Sequence, residues 1–213
     1  MKQEATTIAT FNADNFHSIC DTLAAGDRDL AHILETYGYP PMWTRSNSFE
    51  TLVHIILEQQ VSLASALATL NKLKQYKGGI TPDNMLSLND EEMRTCYVSR
   101  QKAGYIRGLA QAINNRKIDL AALAALPDEQ VRTELIQLKG IGNWTIDVYL
   151  MFALQRADLF PIGDLAAVNA LKRLKQLDQG IDQTSILRIS ASWQPFRSVA
   201  SMILWHYYLS KTK

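Results

Sequence analysis

The stretch Leu138-Lys139-Gly140-Ile141-Gly142-Asn143-Trp144-Thr145 decides how the rest of the chain is read. It lies between two segments whose apolar residues recur at helical spacing, so it must reverse the chain within a few residues. Gly140 and Gly142 allow a tight turn through positive φ and leave room for a close approach. Ile141 between them can anchor the turn in a core. A helix starting near Asn143 then points unpaired N–H groups outward, a geometry ready for a phosphate. A Gly-x-Gly turn between helices also occurs as plain architecture. The full Leu-x-Gly-Ile-Gly-x-Trp-Thr run is the more specific signal.

Working outward from this turn, nearly every periodic segment reads as a helix. Phe49, Leu52, Val53, Ile56 and Leu57 follow a capping-box pair, Asn47 and Glu50. Leu63, Leu67, Leu70 and Leu73 continue in a second helix. Ala103, Ile106, Ala110 and Ile113 give a third. Pro127 suits the first position of a helix ending near Leu138. Residues 144–154, 164–177 and 197–209 complete the set. No stretch alternates long enough for a sheet, so the expectation is an all-α fold of about ten helices with short loops. Tyr39-Pro40-Pro41 and Phe160-Pro161-Ile162-Gly163 are the best breaks. They cut out a central lobe, 45–160, containing the hairpin at about 130–155. The two ends, 1–44 and 161–213, are left to form a second lobe.

Composition excludes several classes. The 213 residues, 47% hydrophobic and 20% charged, suit an ordinary globular protein with a core of real size. The first residues lack the positive-then-apolar pattern of a signal peptide, and no apolar run reaches membrane-helix length. Cys20 and Cys96 stand far apart, which argues against a disulfide framework, a zinc site or a Cys-ligated iron–sulfur cluster and suits a reducing cytosol. The net charge of +1 hides an asymmetry: residues 1–99 hold 7 basic against 12 acidic groups, and residues 100–213 hold 15 against 9. Such a split suits an anionic partner for the second half, and a solvated basic face equally well.

The hairpin is followed by Phe160-Pro161-Ile162-Gly163-Asp164, with Asp164 22 residues after Gly142. Together these resemble the helix-hairpin-helix DNA glycosylases, in particular the 3-methyladenine DNA glycosylase II type. Glu58-Gln59-Gln60-Val61-Ser62 looks like that family's DNA-facing loop between two early helices. Ser99-Arg100-Gln101-Lys102-Ala103 with Tyr105-Ile106 is similar to its helix before the hairpin. Trp193-Gln194-Pro195-Phe196-Arg197-Ser198 with Trp205 resembles the C-terminal signature of the alkyladenine branch. The likeness covers about residues 45–210. It implies two helical lobes with a DNA-binding cleft between them, a monomer acting on damaged double-stranded DNA, and a hairpin gripping a backbone phosphate. That grip would involve Lys139, Gly140, Ile141, Gly142, Asn143 and Thr145, joined by Gln59 and Gln60. The resemblance also implies a structural Na+ or K+ on the main-chain oxygens of Ile136, Leu138 and Ile141, with no redox cofactor.

Breaking a C–N glycosidic bond develops positive charge on the sugar, which a nearby carboxylate stabilises while orienting the attacking water. By resemblance Asp164 is that carboxylate; by local sequence alone it could equally cap a helix, and the two roles can coexist. Bifunctional relatives carry a lysine after the hairpin whose amine attacks the sugar. This chain has Trp144 there, so no strand cleavage is expected. Trp144 and Trp205 match pocket positions where electron-rich faces attract a cationic alkylated purine, although tryptophans at helical positions also serve as core. Val148 departs from the tyrosine that close relatives can carry. Gln60 stands where an apolar wedge fills the stack left by the flipped base; it could equally end a helix. Rival readings are a glycosylase for deaminated or mismatched bases and a non-catalytic DNA grip. A protein–protein adaptor leaves the glycine hairpin unexplained. The expected location is the bacterial cytoplasm with the nucleoid, or a eukaryotic nucleus.

Overall fold

A computed structural model describes residues 9–211. Among the described residues there are thirteen α-helices and a 3-10 turn at Ala191–Trp193. The only β pairing among them is an isolated antiparallel bridge between Thr10 and Arg156. The chain divides into two compact units, one formed by Arg45–Tyr149 and the other by the described residues up to Thr44 and from Leu150 onward.

The unit Arg45–Tyr149, called inner for its place in the chain and the other outer, contains α3 (Phe49–Glu58), α4 (Leu63–Lys77), α5 (Pro82–Ser87), α6 (Asp90–Thr95), α7 (Arg100–Asn114), α8 (Leu120–Ala125), α9 (Asp128–Leu135) and most of α10 (Asn143–Phe152). In α3 the expected apolar residues are all buried. Its cap is not Asn47 but Ser48, whose side chain accepts the Thr51 N–H at 3.3 Å. Asn47 instead ties distant segments together: it accepts from the Tyr149 hydroxyl at 2.6 Å and donates to the Leu120 carbonyl at 2.7 Å. Glu50 pairs with Lys74 at 2.6 Å. A reciprocal capping box does occur, at Asn89 and Glu92 of α6. In α4 the inward face is Ala66, Thr69, Leu70 and Leu73, while Leu63 and Leu67 are exposed. Pro127 stands at the N-cap position of α9, one residue before the helix begins, and that helix ends three residues before Leu138.

The outer unit holds α1 (Phe16–Gly26), α2 (Arg28–Tyr37), the end of α10, α11 (Leu165–Leu174), α12 (Gln183–Ser190) and α13 (Arg197–Lys211). Its core is rich in rings, with Phe11, Phe16, Phe160, Trp193 and Trp205 packed among Leu30, Ile33, Leu171 and Ile203. Large aromatic areas carry much of the burial in such a core. The second break falls inside α10, at Leu150, rather than near 160, because Met151, Ala157 and Phe160 all enter this core. Asp27 caps α2, receives the Lys175 ammonium at 2.7 Å and accepts the Trp193 indole N–H at 2.8 Å. Burial pushes its carboxyl up, and the bonds from Lys175 and Trp193 outweigh that, leaving it below the usual carboxylate range.

Candidate nucleic-acid interface and active carboxylate

After α9 the chain turns through two backbone bonds, Leu138 N–H to Leu135 O at 3.1 Å and Ile141 N–H to Leu138 O at 3.0 Å. Gly140 adopts φ +88°, and a Cβ there would run into the ring of Tyr105. Glycine is therefore required twice over, by backbone and by space. The sequence allows positive φ at Gly142 as well. Gly142 does not adopt it, and an added Cβ would meet nothing within 4 Å. Ile141 is buried and holds the turn from below. Ile146 N–H bonds to the Gly142 carbonyl at 3.0 Å, so the first-turn N–H groups of α10 form the open end of the helix ahead of it. Lys139, Gly142 and Asn143 are exposed at that end. Trp144 sits half-buried on the same turn, and Val148, one turn further on, is buried.

Two expected DNA contacts face the other way. Thr145 is only 2% exposed, and its hydroxyl accepts from the Gln59 carboxamide at 3.0 Å. The same Gln59 Nε2 donates to the Gly140 carbonyl at 2.8 Å. Gln59 and Thr145 thus pin the hairpin from inside. The next residue, Gln60, is exposed at φ +58°, in the left-handed region that non-glycine residues rarely use. Exposed Val61 and Leu63 follow it.

In the outer unit Asp164 is the N-cap of α11. Its Oδ1 accepts the Ala167 N–H at 2.9 Å and the Trp205 indole N–H, also at 2.9 Å. Two donors on one oxygen fix the carboxylate's direction. Trp205, 9% exposed, lies in the core with its ring 5.4 Å from that of Phe152. Its observed work is to hold Asp164, which the sequence pattern had not suggested. Leu165, beside the carboxylate, is 78% exposed.

A family model for the HhH-GPD superfamily of base excision DNA repair proteins matches residues 53–195. The chain belongs to that superfamily. The HhH-GPD match takes in Gln59, Gln60, the hairpin and Asp164, and stops before Trp205. The chain is 30% identical over 184 residues to the provisionally named DNA-3-methyladenine glycosylase YfjP of Bacillus subtilis, covering 83% of this chain and 64% of that one. Less than two thirds of that relative is therefore spanned. DNA-3-methyladenine glycosylase 1 of Schizosaccharomyces pombe is also 30% identical, over 76% of this chain and 72% of its own. Among solved structures, a Schizosaccharomyces pombe 3-methyladenine DNA glycosylase in complex with abasic DNA superposes with a TM-score of 0.82 at 28% identity, covering 88% of this chain and 95% of that one.

Within this HhH-GPD chain, several buried polar groups of the inner unit were not visible in the sequence. Arg132 donates to the exposed Asn143 carboxamide at 3.2 Å and to the buried Asp147 carboxylate at 2.6 Å, tying α9 to α10 across the hairpin. Burial raises the Asp147 carboxyl above its ordinary range, against the opposing pull of Arg132. Arg45 grips buried Glu58 with two bonds, at 2.6 and 2.9 Å. Lys102 donates to the carbonyls of Leu57 at 2.7 Å and Gln59 at 2.9 Å, and burial lowers the pKa of its ammonium. Among the described residues no cluster of three His, Cys, Asp or Glu side chains could hold a metal, and no helix is long and apolar enough to cross a membrane.

Proposed function

We propose that this chain is a monofunctional DNA glycosylase that hydrolyses the N-glycosidic bond of alkylated purines, of the 3-methyladenine and 7-methylguanine type, in duplex DNA. The observation that carries the proposal is Asp164: a carboxylate at the head of α11, aimed by its own helix and by Trp205. As the C1′–N bond breaks, its electron pair leaves with the base and the sugar becomes cationic. Asp164 stabilises that charge, orients a water toward C1′ and takes up its proton. Alkylation has already placed positive charge on the base, so the leaving group departs neutral. Trp144 offers its ring face to such a base, an attraction of roughly 0.5–2 kcal/mol. Trp205 serves by holding Asp164.

The inner unit supplies the grip. Lys139, Gly142 and Asn143 meet the phosphate backbone together with the main chain of the hairpin, and Gln60 enters the vacated stack. A monovalent cation on the carbonyls of Ile136, Leu138 and Ile141 belongs to this reading. The turn is compatible with it: the Leu138 carbonyl already takes the Ile141 N–H, yet a carbonyl has a second lone pair. A DNA substrate places the work in a bacterial nucleoid or a eukaryotic nucleus. A bare DNA grip needs no oriented carboxylate, which disfavours the non-catalytic reading.

Chromatography of bases released from methylated DNA tests the proposal. The expected products are free 3-methyladenine or 7-methylguanine and an abasic strand that stays intact until treated with alkali. Borohydride should trap no covalent adduct, since Trp144 stands where an attacking lysine would be needed. Release of deaminated bases alone would overturn the substrate class, and a trapped adduct the monofunctional assignment.

A further inference from the structure

The Gln59–Gln60 loop and the hairpin are far apart in sequence, yet one chain of bonds joins them inside the inner unit. It starts at Lys102 on α7. The ammonium reaches the carbonyl of Leu57 in the last turn of α3 and that of Gln59 just past its end, and so caps that helix with a charge of the favourable sign. Gln59 then passes the link on through its side chain, to the Gly140 carbonyl and the Thr145 hydroxyl. One turn beyond Lys102 on the same helix, Tyr105 closes the space beside Gly140. Gln60 directly follows the doubly held residue and sits at φ +58°. A left-handed non-glycine residue persists where its surroundings over-determine it. Here the carbonyl just before Gln60 is fixed by a charged donor.

We infer that Lys102 and Gln59 are positioning residues that set the DNA-separating residue, Gln60, in fixed register with the phosphate-gripping hairpin. The inference rests on the glycosylase reading above. A wedge must enter the stack at a set distance from the gripped phosphate, and a loop free to drift would spend binding energy on being ordered. The brace removes that freedom. Lys102 acts only where a pair must be opened; Gln59 acts on both opening and grip, because its amide also sets the Gly140 turn.

The test compares 7-methylguanine paired with cytosine against 7-methylguanine opposite an abasic position, where no pair has to be broken. Single-turnover excision, affinity for plain duplex and the fluorescence of a 2-aminopurine beside the lesion are read for each protein. Lys102→Met should lower excision of the paired lesion by about tenfold, roughly 1.4 kcal/mol of barrier. The unpaired lesion should change less than about threefold, and the 2-aminopurine signal should fall with paired excision. Lys102→Arg, which can still donate to both carbonyls, should restore most of the paired rate. Gln59→Leu should lower paired excision and plain-duplex affinity together. Equal losses on both substrates, or no loss on either, would overturn the brace. If the unaltered protein unstacks 2-aminopurine but releases no base, the glycosylase reading falls; the brace is then judged on the Lys102→Met unstacking signal alone.

Discussion

The two units solve the problem of holding a functional group in opposite ways. In the outer unit a core rich in rings lies behind the carboxylate of Asp164, whose Oδ1 takes the Ala167 N–H and the Trp205 indole N–H. In the inner unit the functional groups are mostly main chain, and charged or amide side chains hold them from behind: Gln59 on Gly140, Lys102 on Gln59, Arg132 on Asn143. On the proposed function, the difference follows from the partner each would meet. A developing charge on a sugar calls for one group of the right sign, rigidly directed. A phosphate backbone calls for several N–H groups in a fixed curve, and bonds to the carbonyls of that curve help to fix it.

Removing the charge while keeping its cap is the most severe way to break this contrast. Asp164→Asn should lower single-turnover excision by at least about a hundredfold. Plain-duplex affinity, measured by titration, should stay within a few-fold. A variant that kept more than about a tenth of the rate would take the carboxylate out of the mechanism.

Gly140→Ala and Gly142→Ala sharpen the inner half of the comparison. The first puts a Cβ into the Tyr105 ring at φ +88°, so it should destabilise the protein by about 1–3 kcal/mol, seen as a lower melting temperature, and weaken duplex binding with it. The second meets open space, so melting should be unchanged while binding to damaged and undamaged duplex weakens by similar factors. Melting losses from both would mean that Gly142 is structural.

A smaller effect is expected from Trp205→Phe, which keeps a ring beside Phe152 and deletes the N–H on Asp164. Loss of a hydrogen bond to a charged group amounts to about 1.5–3 kcal/mol, so excision should drop by about ten- to a hundredfold. Plain-duplex affinity should hold.

The smallest effect concerns acid. Asp27 has a folded pKa below its unfolded one, so its stabilisation is present at neutral pH and lost as pH falls through the folded value. Asp147 is raised, so its contribution runs the other way, present in acid and lost as pH rises through its folded value. Melting of Asp27→Asn and Asp147→Asn between neutral pH and about pH 3 should therefore show opposite trends against the unaltered protein. Asp27→Asn loses its disadvantage in acid, and Asp147→Asn gains one. Parallel curves would remove this part of the contrast.

What could be read from the sequence was local. The hairpin turn, Ile141 as its anchor and Asp164 at a helix start all follow from neighbouring residues. Gln59, Thr145 and Asn47 could not be read this way. Their partners lie 81, 86 and 73 or 102 residues away, and helical spacing tells which face a polar residue occupies but not what it meets there. The six-residue helices α5, α6 and α8 are too short to show a period. Gly142 misled because two glycines in one turn look alike, whereas only one occupies the left-handed position.

That the carboxylate also caps α11 has a consequence for how this protein fails. Changes of Asp164 to Ala or Val remove the charge and the cap together, and losing a cap costs about 1 kcal/mol of stability. In a cell a deficit of that size lowers the amount of folded protein several-fold through chaperones and proteases. Inactive copies of this kind would thin themselves out. Asparagine caps a helix as well as aspartate does, so Asp164→Asn alone among these would leave a full population of well-folded molecules. On the proposed function those copies would occupy damaged sites without clearing them, and mixed with active protein they would slow repair rather than merely fail to add to it.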